Sequence, residues 1–199
     1  MWNQRYAEAG FAYGTDPNDF LAANAERHLP EKGEILCLAE GEGRNAVFLA
    51  RLGYRVTGVD SSVVGLEKAS ALAVRQGVDL QTVVADLRDF DLGVARWDGI
   101  VSIWCHVPAI LRARLHRAAV AALKPGGVVL LEAYTPKQLE YKTGGPPTAD
   151  LMMTLAAARD ELAGLELVYG QEKLREVYEG KYHDGMSAVL QVVARKPSA

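Results

Sequence analysis

The chain has 199 residues, with 22 Lys and Arg against 25 Asp and Glu and a net charge of −3. It therefore lacks the positive excess or basic stripe that a nucleic-acid backbone demands. Its 49% apolar and 24% charged residues suit one folded domain spanning 1–199, large enough to bury a full core.

No apolar run reaches the roughly 18 residues of a membrane span, and the amino terminus shows no charged-then-apolar leader, so a cytoplasmic protein without a membrane partner is expected. Cys37 and Cys105 lie in apolar runs and read as reduced thiols. The histidines at 28, 106, 116 and 183 are scattered without ligand spacing, and no metal is expected.

Residues 1–33 form an arm. Trp2, Tyr6, Phe11, Tyr13, Phe20 and Leu21 are too many large apolar side chains for a free tail, so the arm should pack on the domain. Ala12 to Asn18 reads as a turn, and a helix starts at Asp19 and runs toward Leu29.

Glu34 to Leu38 is a short apolar run of the buried parallel-strand kind, ending in a loop with Gly41 and Gly43. A helix follows from Asn45 to Leu52, stopped by Gly53, with Arg44 at its start either in a functional contact or facing solvent. The next strand, Tyr54 to Asp60, ends on a carboxylate placed to accept hydrogen bonds from ribose hydroxyls. A nucleoside-bearing cofactor is the first expectation.

The spacing Gly41, Gly43, Ala46 also fits a dinucleotide fingerprint. A pyrophosphate, however, needs bare amides at a helix start, and this loop carries Glu40 and Glu42. S-adenosylmethionine has no phosphate and presents a sulfonium and an amine, which tolerate nearby carboxylates.

Ser61 or Ser62 caps a helix from Val64 to about Gly77, and the strand Leu80 to Ala85 delivers Asp86. Trp97 to Trp104 is the fourth strand, followed by Cys105, His106, Val107 and Pro108. Ile110 to Leu123 is a helix with Arg112, Arg114 and Arg117 on its solvent face. Lys124-Pro125-Gly126-Gly127 is a turn, and Val128 to Ala133 the fifth strand. The long loop from Tyr134 to Pro147 is of the binding-loop kind, with Tyr134, Gln138 and Tyr141 as substrate-side candidates. After a helix from Leu151 to Leu162, Leu165–Tyr178 and Ser187–Arg195 alternate and form a hairpin whose connection includes His183, read as a turn residue.

Four stretches in order, Leu38 to Asn45, Gly58 to Ser62, Ala85 to Leu87 and Leu123 to Gly127, resemble the motif series of class I S-adenosylmethionine-dependent methyltransferases. The details are similar to the tellurite-resistance and thiopurine-methyltransferase-like branch. Two departures stand out: Ala39 where the family usually has glycine, and Cys37 where it often has an acid.

The resemblance implies an α/β, Rossmann-like class I methyltransferase fold. Its sheet would be seven-stranded and mostly parallel, with an antiparallel C-terminal hairpin and helices on both faces. Residues 1–33 would serve as arm or lid, and 34–199 as the core of a single methyltransferase domain. S-adenosyl-L-methionine would be held by Ala39, Glu40, Gly41, Gly43, Arg44, Asn45, Asp60, Ser61, Asp86, Leu87 and Trp104, with Asp86 at the adenine and Leu87 over the ring. S-adenosyl-L-homocysteine would be the product.

If the first and fourth strands are neighbours, the 104–108 loop faces the methyl group. His106 is then the catalytic candidate, as base or positioning group. Tyr6 and Tyr13, as lid residues or simple packing, join Cys105, Tyr134 and Tyr141 on the substrate side. The expected partner is a small molecule, with a thiol or chalcogen oxyanion favoured, and the chain itself a monomer or homodimer. An NAD(P)-dependent oxidoreductase and a non-catalytic cofactor-binding regulator are the alternatives.

Overall fold

A computed structural model describes residues 2–198. In chain order the elements are α1 (Trp2–Tyr6), α2 (Asp19–His28), β1 (Glu34–Leu38), α3 (Arg44–Arg51), β2 (Arg55–Asp60), α4 (Val63–Gln76) and β3 (Gln81–Val84). Then come β4 (Trp97–Ile103), α5 (Ala109–Ala122), β5 (Leu123–Tyr134), α6 (Leu155–Glu161), β6 (Glu166–Glu179) and β7 (His183–Arg195). The strands form one sheet in the order β3-β2-β1-β4-β5-β7-β6. Every neighbouring pair is parallel except β5/β7 and β6/β7. This is the Rossmann-like sheet with its antiparallel terminal hairpin.

The apolar runs of β1 and β4 are continuous because both faces of the central strands are covered. Along β1, Ile35 and Cys37 point to a layer formed with Phe20, Leu21 and Ala25 of α2 and Ala46 and Leu49 of α3. Leu36 and Leu38 point to the opposite layer, with Leu115 and Ala119 of α5 and Ala158 of α6. Strand order reverses between β1 and β4, so their carboxyl ends diverge and leave a crevice. No helix among the described residues is long and apolar enough to cross a membrane.

Local signals explain most boundaries. Ser62 caps α4 by accepting from the Gly65 amide at 3.1 Å, and Gly77 ends that helix in the left-handed conformation at φ 67°. Two expectations need correction. Lys124 to Gly127 does not precede β5 but bulges out within it: Leu123 pairs with Trp97, whereas the next pair is Val128 with Gly99. Arg112 does not face solvent. Helix α6 packs over it, and its guanidinium bonds Glu161 at 3.0–3.2 Å and the Met152 carbonyl at 2.8 Å. Only Arg114 and Arg117 of that trio are exposed.

Gly43 shows why the first loop needs glycine. It sits at φ 92°, and a Cβ there would lie 2.6 Å from the Ala69 Cβ and 2.7 Å from its Cα, part of the α4 backbone. Gly43→Ala is expected to cost roughly 2–4 kcal/mol through strain and overpacking together. Urea denaturation reads this directly; an unchanged midpoint would contradict the close packing of loop and helix.

Candidate active site

The crevice opens into a cleft at the carboxyl ends of β1, β2 and β4. The first loop contributes Ala39, Glu40, Glu42, Arg44 and Asn45; the end of β2 contributes Asp60 and Ser61; Asp86 and Leu87 follow β3. The end of β4 supplies Ile103, Trp104, His106 and Val107, while Trp2, Tyr6 and Tyr13 close it from the arm and His183 from the hairpin.

The first loop is wound by residues in the left-handed region: Ala39 at φ 51°, Gly41 at 62° and Gly43 at 92°. Asp60 holds this shape. One carboxylate oxygen accepts from the Gly41 amide at 2.9 Å and the other from the Ser62 amide at 2.7 Å. Glu40 accepts from the Ala46 amide at 2.8 Å, and burial pushes its carboxyl up to about 7. Two amides of the loop and helix start, those of Gly41 and Ala46, are thus already held by carboxylates. The loop does not favour a dinucleotide; its acidic wall fits a ligand bearing cationic groups.

Glu42 fastens the arm, accepting from the Ala12 amide at 2.7 Å and from Lys68 at 2.9 Å. Asn45 accepts from the Asn18 amide at 3.0 Å. Gly180, in the β6–β7 turn, completes the seat of the arm: a Cβ there would stand 2.4 Å from the Ala12 carbonyl. Asp86 lies at the lip, clasped by Arg88 at 2.6 Å, and that bond holds its carboxyl at about 2.

Arg44 is nearly buried, and its guanidinium reaches Glu179 at 2.7 Å. The same Glu179 oxygen accepts from the Trp104 indole at 2.6 Å and from His183 Nδ1 at 3.0 Å. Its other oxygen takes Asn18 at 2.9 Å. Burial alone would raise this carboxyl, but His183 and Arg44 more than offset it and hold it at about 2. Asn18 also donates to Glu132, wholly buried in β5, which is bonded as well by Arg175 and Gln191 at 2.6–2.8 Å.

Trp104, just after β4, sits in the left-handed region at φ 55°, its ring stacked on Tyr134 at 4.4 Å. His106 is linked through Nδ1 to the Leu151 carbonyl at 3.2 Å. Because a carbonyl only accepts, Nδ1 carries the proton and the Nε2 lone pair is unpartnered. Burial, then the nearby His183, holds the imidazole at about 4.

The structure therefore brings the expected cofactor-side residues into the cleft wall with Tyr6, Tyr13 and His106, except Gly41 and Gly43, which pack against Tyr6 and Ala69 instead. Cys105, Tyr134 and Tyr141 do not line the cleft. Cys105 packs against the core, and burial pushes its thiol up to about 12. Tyr134 is buried behind Trp104. Tyr141 follows the short 3-10 turn Pro136–Glu140, where Gln138 is occupied by Thr143, Gly144 and Ala188.

His183 is not the turn residue expected: it begins β7, is only 4% exposed and forms part of the cleft wall. Sequence reasoning also missed Asn18, Glu132, Arg175 and Glu179. Glu132 carried a signal, since a lone carboxylate in a buried strand requires partners.

Residues 35–127 match the model of a methyltransferase domain. Thiopurine S-methyltransferase of Legionella pneumophila (strain Philadelphia 1) is 25% identical, over 98% of this chain and 96% of its own. Among solved structures, one described for conversion of a disulfide bond into a thioacetal group during echinomycin biosynthesis superposes with a TM-score of 0.74 at 23% identity. It covers 92% of this chain and 82% of the other. TehB from Haemophilus influenzae superposes with a TM-score of 0.73 at 18% identity, covering 89% and 61%. The domain match, the end-to-end relative and the fold together support an S-adenosylmethionine-dependent methyltransferase.

Its similarity to thiopurine S-methyltransferase runs nearly end to end. The cleft of this methyltransferase fits the cofactor: a buried acid stands at the end of β2, Leu87 and Ile103 give an apolar wall, and carboxylates line the side a cationic amine would approach.

The buried anion makes the methyltransferase acid-sensitive in a definable window. The Glu179 carboxyl lies at about 2 in the folded state against 4.5 ordinarily. Its contribution is present above 4.5 and lost as pH falls toward 2, amounting to roughly 3 kcal/mol. Between 4.5 and 6.5 the raised Glu40 makes stability fall with pH while the lowered His106 makes it rise, so these two oppose each other. Urea midpoints from pH 7 to pH 3 should decline mainly below 4.5, and Glu179→Gln should flatten that decline while lowering stability at pH 7. A variant as acid-sensitive as the parent would assign the loss to other groups.

Proposed function

We propose that this enzyme methylates a small, soft nucleophile, a thiol or a chalcogen oxyanion. The observation that carries the reading is the composition of the acceptor end. Trp104, Tyr13, His106, His183, Val107 and Leu111 enclose it with rings and aliphatic groups, and the nearest carboxylate, Glu179, is already saturated by donors. The printed name of the Legionella relative, a thiopurine S-methyltransferase, supports the same acceptor class.

In this reading Asp60 accepts from the ribose hydroxyls, Asp86 and Leu87 receive the adenine, and Glu40 with the Ala39–Asn45 loop, Ser61 and Trp104 surrounds the amino-acid end. Arg44 and Asn45 act one step back by holding Glu179 and the arm. Residues 1–33 serve as the lid of a single domain, with Tyr6 and Tyr13 over the cleft.

The cofactor supplies an electrophilic methyl group on a sulfonium. The protein's part is to align the acceptor and exclude water, which favours a transition state in which charge is dispersed. His106 contributes its ring to the cleft wall, with its Nε2 sealed from solvent. At about 4 it is a weak proton acceptor, which suits nucleophiles that arrive ionised.

Calorimetric titration with S-adenosylmethionine, S-adenosylhomocysteine and NADH tests the cofactor side. The two adenosyl ligands should bind and NADH should not, and Asp60→Ala should weaken binding by about 10–100-fold, the loss of charge-assisted hydrogen bonds. Mass spectrometry of a panel of aromatic thiols, tellurite, catechols and amines tests the acceptor. Methylation confined to amines or catechols would overturn the soft-nucleophile assignment.

A further inference from the structure

The acceptor wall holds two imidazoles with unlike contacts. His106 Nε2 is sealed from solvent without a partner, and burial holds that ring at about 4. His183 is different. Its Nδ1 bonds the Glu179 carboxylate at 3.0 Å, and because a carboxylate only accepts, Nδ1 carries a proton, which leaves Nε2 as the site of the lone pair in the neutral ring. His183 Nε2 has no hydrogen-bond partner among the described residues, yet it is not one of the sealed, unpartnered atoms, and the ring is part of the cleft wall.

The ring is also fixed in orientation. Tyr13 packs on it at 4.8 Å, and Trp104 and Tyr134 meet it edge-on at 5.3 and 5.4 Å. Around it stand Glu179 from β6, Arg44 from α3 on the same carboxylate oxygen, His106, and the Tyr13 hydroxyl held by Arg5 at 2.8 Å.

We propose that His183, oriented by Glu179, is the general base that takes the proton of acceptors arriving un-ionised, a role that rests on the methyl-transfer reading above. The acceptor X–H gives its proton to Nε2 as the X lone pair forms the bond to the methyl carbon. The electron pair of the methyl–sulfur bond returns to sulfur. Glu179 stays ionised, because Trp104 and Arg44 donate to the same oxygen, and it stabilises the imidazolium without taking the proton. Water accepts the proton when the product leaves.

A pair of similar acceptors isolates this step. Benzyl mercaptan is protonated at neutral pH, whereas 4-nitrothiophenol is a thiolate. His183→Gln should lower kcat with benzyl mercaptan by about 10²–10⁴-fold and with the thiolate by less than about tenfold. Equal losses on both acceptors, or no loss with benzyl mercaptan, would overturn the assignment.

Nitrogen-15 NMR of histidine-labelled parent protein gives a readout that needs neither turnover nor a folded variant. Neutral His183 should carry its proton on Nδ1; a proton on Nε2 would sink the inference by itself. With the expected tautomer present, a parent enzyme that binds S-adenosylhomocysteine but methylates neither thiol would count against the soft-acceptor reading and also overturn the assigned base, whereas the expected tautomer with transfer to the thiolate alone would overturn only the base.

Discussion

The structure turns on one buried anion. Glu179 closes β6 with its carboxylate almost out of solvent, a placement tolerable only when its oxygens are saturated with donors. The donors come from the ends of separate elements: Trp104 after β4, Arg44 at the start of α3, His183 at the start of β7 and Asn18 from the arm. Satisfying the charge therefore brings the first loop, the end of β4, the terminal hairpin and the arm to one point. Asn18 extends the effect by capping α2 through the Leu21 amide and by bridging to Glu132.

Around that anion the backbone departs from low-energy conformations at two non-glycine residues, Ala39 and Trp104, both where a central strand meets the cleft. Strain of this kind persists only where surrounding structure over-determines it. At Trp104 the reasons are visible: its indole is bonded to Glu179, its ring is stacked on Tyr134, and its amide donates to the Glu132 carbonyl. The carboxylates of Glu40 and Asp60 play a comparable part in the first loop. They consume amides that would otherwise attract phosphate and leave an acidic lining suited to a cationic ligand.

Much of the chain was legible because its signals are local. Apolar runs marked the central strands, Ser62 and Gly77 bounded α4, and alternation marked the terminal pair. The cleft-lining residues after β1, β2 and β3 were readable for the same reason, as short runs at strand ends. Arg112 failed as a solvent-facing residue because helix periodicity says which residues share a face, not what covers it. Lys124 to Gly127 failed as a turn because the strand pairs on both sides of the excursion.

The sequence by itself determined the sheet's central strands, the glycine-bearing loop that lines the cleft, and the choice of a sulfonium ligand over a pyrophosphate. These rest on periodicity, glycine placement and the sign of neighbouring charges, all carried by adjacent residues. Only the tertiary structure decided what gathers around Glu179. Asn18, Trp104, Glu179 and His183 are far apart in the chain and converge because strand order reverses and the hairpin folds back beside β5. Their chemistry follows from burial and from which atom faces which, and neither is a property of a residue read in its own stretch of sequence.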